Sequence, residues 1–66
     1  MINILLNGKN LEIKHNSTLE DFVNEFLPKD KFAIEVDLCI IPRSEYSTFH
    51  LQDGMKIEVI TFVGGG

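Results

Sequence analysis

Gly64, Gly65 and Gly66 follow Phe62 and Val63 at the carboxyl end of a 66-residue chain. Glycine inside an ordered element costs about 0.5–1 kcal/mol relative to alanine, so a strand gains nothing from finishing this way. The run offers something chemical instead: a slim backbone without side chains, and an α-carboxylate. At about 3.3–3.6 Å per extended residue, the three glycines reach roughly 10 Å. The duller alternative is a frayed terminus, although glycine runs more often serve as linkers and a linker needs something after it. Other candidate groups are weaker. The one cysteine, Cys39, has no His or basic cluster beside it to activate a thiol. It reads as a small apolar filler or surface neighbour on a short strand rather than a redox or persulfide site. His15 and His50 lie far apart without triad or HExxH spacing, and read as polar surface residues. No CxxC or Cys/His cluster suggests a metal.

Composition narrows the class. Hydrophobic residues make up 44% of the chain and charged residues 24%, a globular balance for one small domain. A single cysteine excludes an internal disulfide, so the core must hold the fold alone. The net charge is −4, which argues against nucleic acid, whose binders carry a basic footprint. An acidic surface suits a basic protein partner or simple solubility. No run approaches the roughly 18–20 apolar residues that span a bilayer, so no membrane role is expected. MINILLNGKN lacks the basic flank and apolar run of a signal peptide. A reducing, cytoplasmic setting fits.

The elements that would carry the tail follow from periodicity. Ile2, Ile4 and Leu6 alternate, Asn7-Gly8 marks a type I′ turn, and Leu11 and Ile13 resume the alternation, which predicts a hairpin. Ser17 with Glu20 three positions on predicts a capping box. Leu19, Phe22, Val23, Phe26 and Leu27 form one apolar helical stripe of two to three turns, stopped by Pro28. Glu20 and Asp21 suit the positive end of the helix, and with Glu25 read as a solvated face. Phe32, Ile34 and Val36 alternate with Ala33 and Glu35. Asp37-Leu38 reads as a tight turn into a short strand around residues 39–41, closed by Pro42. Residues 43–50 read as a loop with one helical turn, in which Arg43 pairs with Glu45 or meets an acidic partner. Asp53-Gly54 marks another turn. Met55, Ile57 and Val59 then point one way, Lys56 and Glu58 the other. A last strand this β-branched belongs in the middle, beside the first.

Hairpin, helix, strand, short strand and final strand make an α+β plan. It is the order of the β-grasp, or ubiquitin-like, fold: a mixed sheet of four to five strands with one main helix on one face. Residues 1–63 form the domain and 64–66 a flexible tail. At Ile60 the alternation breaks, because Ile60-Thr61-Phe62-Val63 offers apolar groups to both faces. A sheet covered by one helix has one dry face. Ile60, Phe62 and Val63 therefore form a candidate docking patch beside the tail, unless they pack under the 43–50 loop. Glu35, Asp37 and Glu58 either stay solvated or meet a basic enzyme surface.

These pieces together resemble the small sulfur carriers of thiamine biosynthesis, the ThiS family. The resemblance covers essentially the whole chain. It rests on I-x-I-L-x-N-G-K, the short helix after S-T-L, I-I-P-R followed by an acidic and an aromatic residue, D-G-x-x-I-E-V, and the closing F-V-G-G-G. It implies a non-catalytic carrier, not an enzyme, with no bound cofactor. An adenylating enzyme (ThiF-like) would use ATP to activate Gly66. A cysteine desulfurase-derived persulfide would convert it to a thiocarboxylate, and a thiazole synthase (ThiG-like) would accept the sulfur. Gly64 and Gly65 would enter the partners' channels. Molybdopterin synthase small subunits and ubiquitin-like modifiers share the fold and tail. Sulfur delivery to molybdopterin or another thio-metabolite, protein modification, and a plain interaction module thus remain as alternatives.

Overall fold

The computed structural model describes residues 1–27 and 31–61. Five strands form one mixed sheet in the order β2-β1-β5-β3-β4, with helix α1 (Leu19–Phe26) on one face. This is the β-grasp arrangement that the alternation and the helical stripe predict. Strands β1 (Ile2–Leu6) and β2 (Lys9–Ile13) pair antiparallel, with Ile2 opposite Ile13 and Leu6 opposite Lys9. The turn between them has positive φ at both Asn7 (48°) and Gly8 (84°), as a type I′ turn requires. Strand β3 (Phe32–Val36) pairs antiparallel with the two-residue β4 (Cys39–Ile40) and with β5 (Lys56–Thr61). Central β5 also runs parallel to β1, Leu5 beside Lys56 and Leu6 beside Ile57.

The core lies between this sheet and α1. Ile4, Leu19, Phe22, Ile34 and Ile57 are its largest fully buried side chains. Ile2, Leu6 and Leu11 pack on it partly buried, so the predicted hairpin face is the inner one. Of the helical stripe, Leu19 and Phe22 are buried and Val23 and Leu27 half-buried. Phe26, in the last turn, is 40% exposed and rests on Phe22 with ring centroids 5.4 Å apart. Leu27 is extended (φ −111°, ψ 141°), the geometry forced on a residue that precedes proline. Pro28 itself lies outside the described residues.

The helix begins one residue later than the Ser17–Glu20 reading expects. Thr18 is the N-cap: its Oγ1 accepts the Asp21 N–H at 3.1 Å, and its own N–H donates to Asp21 Oδ2 at 3.0 Å. Ser17 is already committed elsewhere, its hydroxyl donating to the Lys14 carbonyl at 2.7 Å. The next two helical amides are satisfied by tertiary contacts, Leu19 N–H by the Phe49 carbonyl and Glu20 N–H by that of Tyr46. Residues 43–51 therefore lie against the helix start. They contain a 3-10 turn, Arg43–Glu45, and bury Tyr46 and Leu51 in the core. Aperiodic sequence concealed both anchors, because neither belongs to a regular element. Arg43 stacks its guanidinium over the Phe32 ring, 5.2 Å from the centroid, a cation–π contact in place of the expected ion pair.

The backbone N–H of Thr18, and then its hydroxyl, hold the Asp21 carboxyl below the usual aspartate range. A depressed acid stabilises the fold above its unfolded pKa, about 3.9, and that contribution is lost as pH falls through the folded value. Thr18→Ala is expected to cost about 1 kcal/mol in urea denaturation at neutral pH, more than Ser17→Ala. Its deficit relative to the parent should shrink on acidification past the Asp21 midpoint.

Candidate functional site

The candidate site is the C-terminal end of β5 and the sheet face around it. Strand β5 gains partners on both sides at its start. Asp37 receives the Lys56 N–H on Oδ1 at 3.0 Å and gives its own N–H to the Lys56 carbonyl at 2.8 Å. On the other side the Asn7 N–H donates to the Ile57 carbonyl at 2.9 Å. There β1 has turned away into its hairpin, and the next β5 amide would find no strand. The Asn7 side chain takes that place: Oδ1 accepts the Val59 N–H at 2.8 Å, and Nδ2 reaches the Val59 carbonyl at 3.5 Å. The hairpin reading anticipated Asn7 as a turn former only. Its carboxamide also splints β5 four residues before residue 63.

Alternation decides which residues lie outside. With Ile57 buried and Val59 half-buried on the helix side, Lys56, Glu58 and Ile60 face the opposite way. Ile60 is 44% exposed and stands beside Ala33. The segment carrying Tyr46 and Leu51 packs into the helix-side core, so Ile60 does not pack under it and the exposed reading holds. Phe62, Val63, Gly64, Gly65 and Gly66 lie outside the described residues. The whole of the predicted tail and most of the predicted patch are therefore expectations that rest on the sequence.

The same face brings together Glu35 and Glu58, which the sequence reading left either solvated or against a basic enzyme surface. Glu35 on β3 is the direct partner of Glu58 on β5, and on its other side it is the partner of Ile40 on β4. Two acidic residues thus occupy neighbouring positions on one face, bordered by Ile40 (68% exposed) and Ile60. Like charges directly opposite one another destabilise a sheet. At the end of the β3–β4 hairpin, Asp37 and Leu38 both have positive φ, 49° and 72°. Aspartate tolerates that conformation, whereas leucine pays roughly 1–2 kcal/mol for it. Yet Leu38 is 85% exposed and recovers little by packing. A shallow hollow of ≈ 260 Å³ lies along β5, lined by Leu5, Gly8, Lys56, Ile57 and Glu58.

The remaining candidates do not converge. Cys39 is exposed on β4, which selects the surface-neighbour reading over the filler. His15 and His50 are exposed and separate in sequence. Among the described residues no group of three or more His, Cys, Asp or Glu side chains could hold a metal ion. Among them, too, no helix is long and apolar enough to cross a membrane.

Three substitutions test this geometry. Asn7→Gly keeps the turn but removes the splint. Amide exchange at Val59 should quicken about fivefold to tenfold, the loss of one hydrogen bond of about 1 kcal/mol. Glu58→Thr should raise stability by roughly 0.2–1 kcal/mol by removing the like-charge pair. Leu38→Asn should also raise it, by about 1 kcal/mol, because asparagine accepts the left-handed conformation. A fall in the urea midpoint for either of the last two would contradict the assignment of strain.

Comparison with known proteins agrees with this architecture. The chain is 33% identical over 64 residues to a thiazole synthase of Paramagnetospirillum magneticum; the match covers 96% of this chain and only 20% of that protein. The chain thus spans about a fifth of the length of that relative. It is 29% identical to the uncharacterized protein ycf40 of Porphyra purpurea, over 98% of this chain and 93% of the other. The ycf40 protein of Pyropia yezoensis is 30% identical with the same coverage. The crystal structure of a thiamine biosynthesis protein (ThiS) from Geobacter metallireducens superposes with a TM-score of 0.83. It covers 98% of this chain and 100% of that one at 19% identity, which establishes the shared fold. The ThiS family model matches residues 4–66, and the chain belongs to the ThiS family.

Proposed function

We propose that this protein is a non-catalytic sulfur carrier that holds its cargo as a thiocarboxylate on Gly66 and gives it up for thiazole formation in thiamine biosynthesis. The observation that carries this reading is the extent of the family match, which runs through the glycine tail to residue 66. The thiazole synthase relative supports the acceptor, since nearly all of this chain aligns within one such enzyme.

The chemistry explains the tail. An α-carboxylate, with a pKa of about 3.3–3.7, is ionised at neutral pH, and its delocalised charge repels nucleophiles. An adenylating partner joins it to AMP from ATP and releases pyrophosphate, which creates a good leaving group. The terminal sulfur of a cysteine-derived persulfide then attacks the carbonyl carbon and expels AMP. The result is an acyl disulfide. A second thiol attacks the persulfide's own sulfur, which leaves –COS⁻ on Gly66 and a disulfide between the two thiols. The carrier supplies neither base nor metal to these steps. It contributes reach and narrowness, since Gly64 and Gly65 accept any backbone geometry a channel imposes. The setting is cytoplasmic, and ATP belongs to the activating partner.

Incubation with an adenylating partner, ATP and a persulfide donor should shift the intact mass by the exchange of one oxygen for sulfur. Gly66→Ala places a Cβ beside the carbonyl under attack and should slow ATP–pyrophosphate exchange. A chain lacking Gly65 and Gly66 should deliver no sulfur to a thiazole synthase. Lysine conjugates without sulfur gain would instead identify a protein modifier, and delivery to a molybdopterin precursor a different acceptor. An unaltered tail would leave a plain binding module.

A further inference from the structure

We propose that Asn7 is a site of spontaneous covalent modification. Its side chain closes onto the Gly8 amide, loses ammonia and opens to isoaspartate or aspartate, at a pace set by how often the Asn7–Val59 splint lets go. The inference needs neither the tail nor a partner, so it stands apart from the sulfur-carrier reading.

Of the chain's five asparagines, Asn7 is the one followed by glycine; the others precede Ile4, Leu11, Ser17 and Glu25. That neighbour decides the chemistry. A side chain on the following residue shields the backbone nitrogen that must attack, and glycine has none. Asn7 and Gly8 are both exposed, and a Cβ built on Gly8 would meet nothing within 4 Å. Water and hydroxide therefore reach the turn. Among the described residues the Gly8 N–H donates to no backbone carbonyl, so no such bond holds its proton.

The fold supplies the restraint. Asn7 Oδ1 accepts the Val59 N–H at 2.8 Å, and Nδ2 reaches the Val59 carbonyl at 3.5 Å. A carboxamide bonded to β5 is directed away from its own chain neighbour. Both contacts must break before Cγ can meet the Gly8 nitrogen, and such local opening has its own equilibrium below global unfolding.

The step itself uses only water. Base removes the Gly8 amide proton and the nitrogen attacks Asn7 Cγ. The Cγ–Nδ2 bond breaks, and ammonia leaves with a proton from water. Water then adds to one carbonyl carbon of the resulting five-membered imide. Breaking the new N–Cγ bond gives aspartate. Breaking the bond from nitrogen to the Asn7 main-chain carbonyl carbon gives isoaspartate, in which the chain runs through Cγ. Nothing is oxidised or reduced. Aspartate keeps an oxygen for the Val59 N–H and loses only the longer Nδ2 contact. Isoaspartate adds a methylene to the main chain of a turn only two residues long, between Leu6 and Lys9. It cannot keep the φ of 48° and the β1–β2 register together, and so gives up the splint.

The test holds the full chain at mildly alkaline pH beside an unstructured peptide of residues 3–11, with both sampled by peptide mapping. Conversion should appear at Asn7 before Asn3, Asn10, Asn16 or Asn24, and about tenfold or more slowly than in the peptide. Urea below the unfolding midpoint should speed it in step with amide exchange at Val59, and leave the peptide's rate unchanged. In the purified isoaspartate form the Val59 amide should exchange about tenfold faster than in the parent, and in Asn7→Asp within about threefold of it. Earlier conversion at another asparagine, a rate equal to the peptide's, or a rate indifferent to Val59 exchange would each overturn the proposal. So would an intact Asn7 in folded chain whose Val59 amide exchanges, or parent-like Val59 exchange in the isoaspartate form.

Discussion

A strand in the middle of a sheet needs hydrogen-bond partners along both edges, and β5 obtains them from three sources. Strand β3 covers it from Val36 to Phe32. Strand β1 covers only its beginning, at Lys56 and Ile57. Asn7 extends that second edge by one more rung with a side chain. The position of the rest follows. The first hairpin must turn where it does for Asn7 to reach Val59, and Asp37 must end β3 where its carboxylate closes the start of β5. Both of these turns are thus tied to β5 directly.

The opposite face is arranged on other terms. Helix α1 is only eight residues long, marginal by itself. It is held by its burial and by a segment without regular structure, which lends carbonyls to its first turn and anchors to the core. The outer face holds two carboxylates in one row, an unpacked leucine in a left-handed backbone and exposed isoleucines. Each departs from what stability alone would select, and all of them gather on the side that no part of the described chain covers. Where a small fold sets local preferences aside, binding is the usual reason.

Much of this plan was legible from residue patterns, for identifiable reasons. Asn7-Gly8 reports a type I′ turn because few residues tolerate positive φ at both positions. The stripe from Leu19 to Leu27 and the alternation from Phe32 to Val36 report faces, because one-sided burial imposes its period on sequence. The final strand's place beside the first follows from its apolar content. Other features depend on contacts distant in sequence. Thr18 replaced Ser17 as cap because Lys14 and Leu51 already engage Ser17. Tyr46 and Leu51 sit in an aperiodic stretch that only tertiary packing explains. Asn7's second role spans 52 positions, and the juxtaposition of Glu35 with Glu58 needs a strand register that neither segment encodes alone.

The central place of β5 has a mechanical consequence. A tug on the Thr61 end of β5, directed along the strand, acts at right angles to its hydrogen bonds. The rungs to β3, together with those to β1 and Asn7, then resist as one set loaded in shear, instead of parting in turn as an edge strand peels. Tension applied through the end of β5 therefore loads the body of the fold without unravelling it.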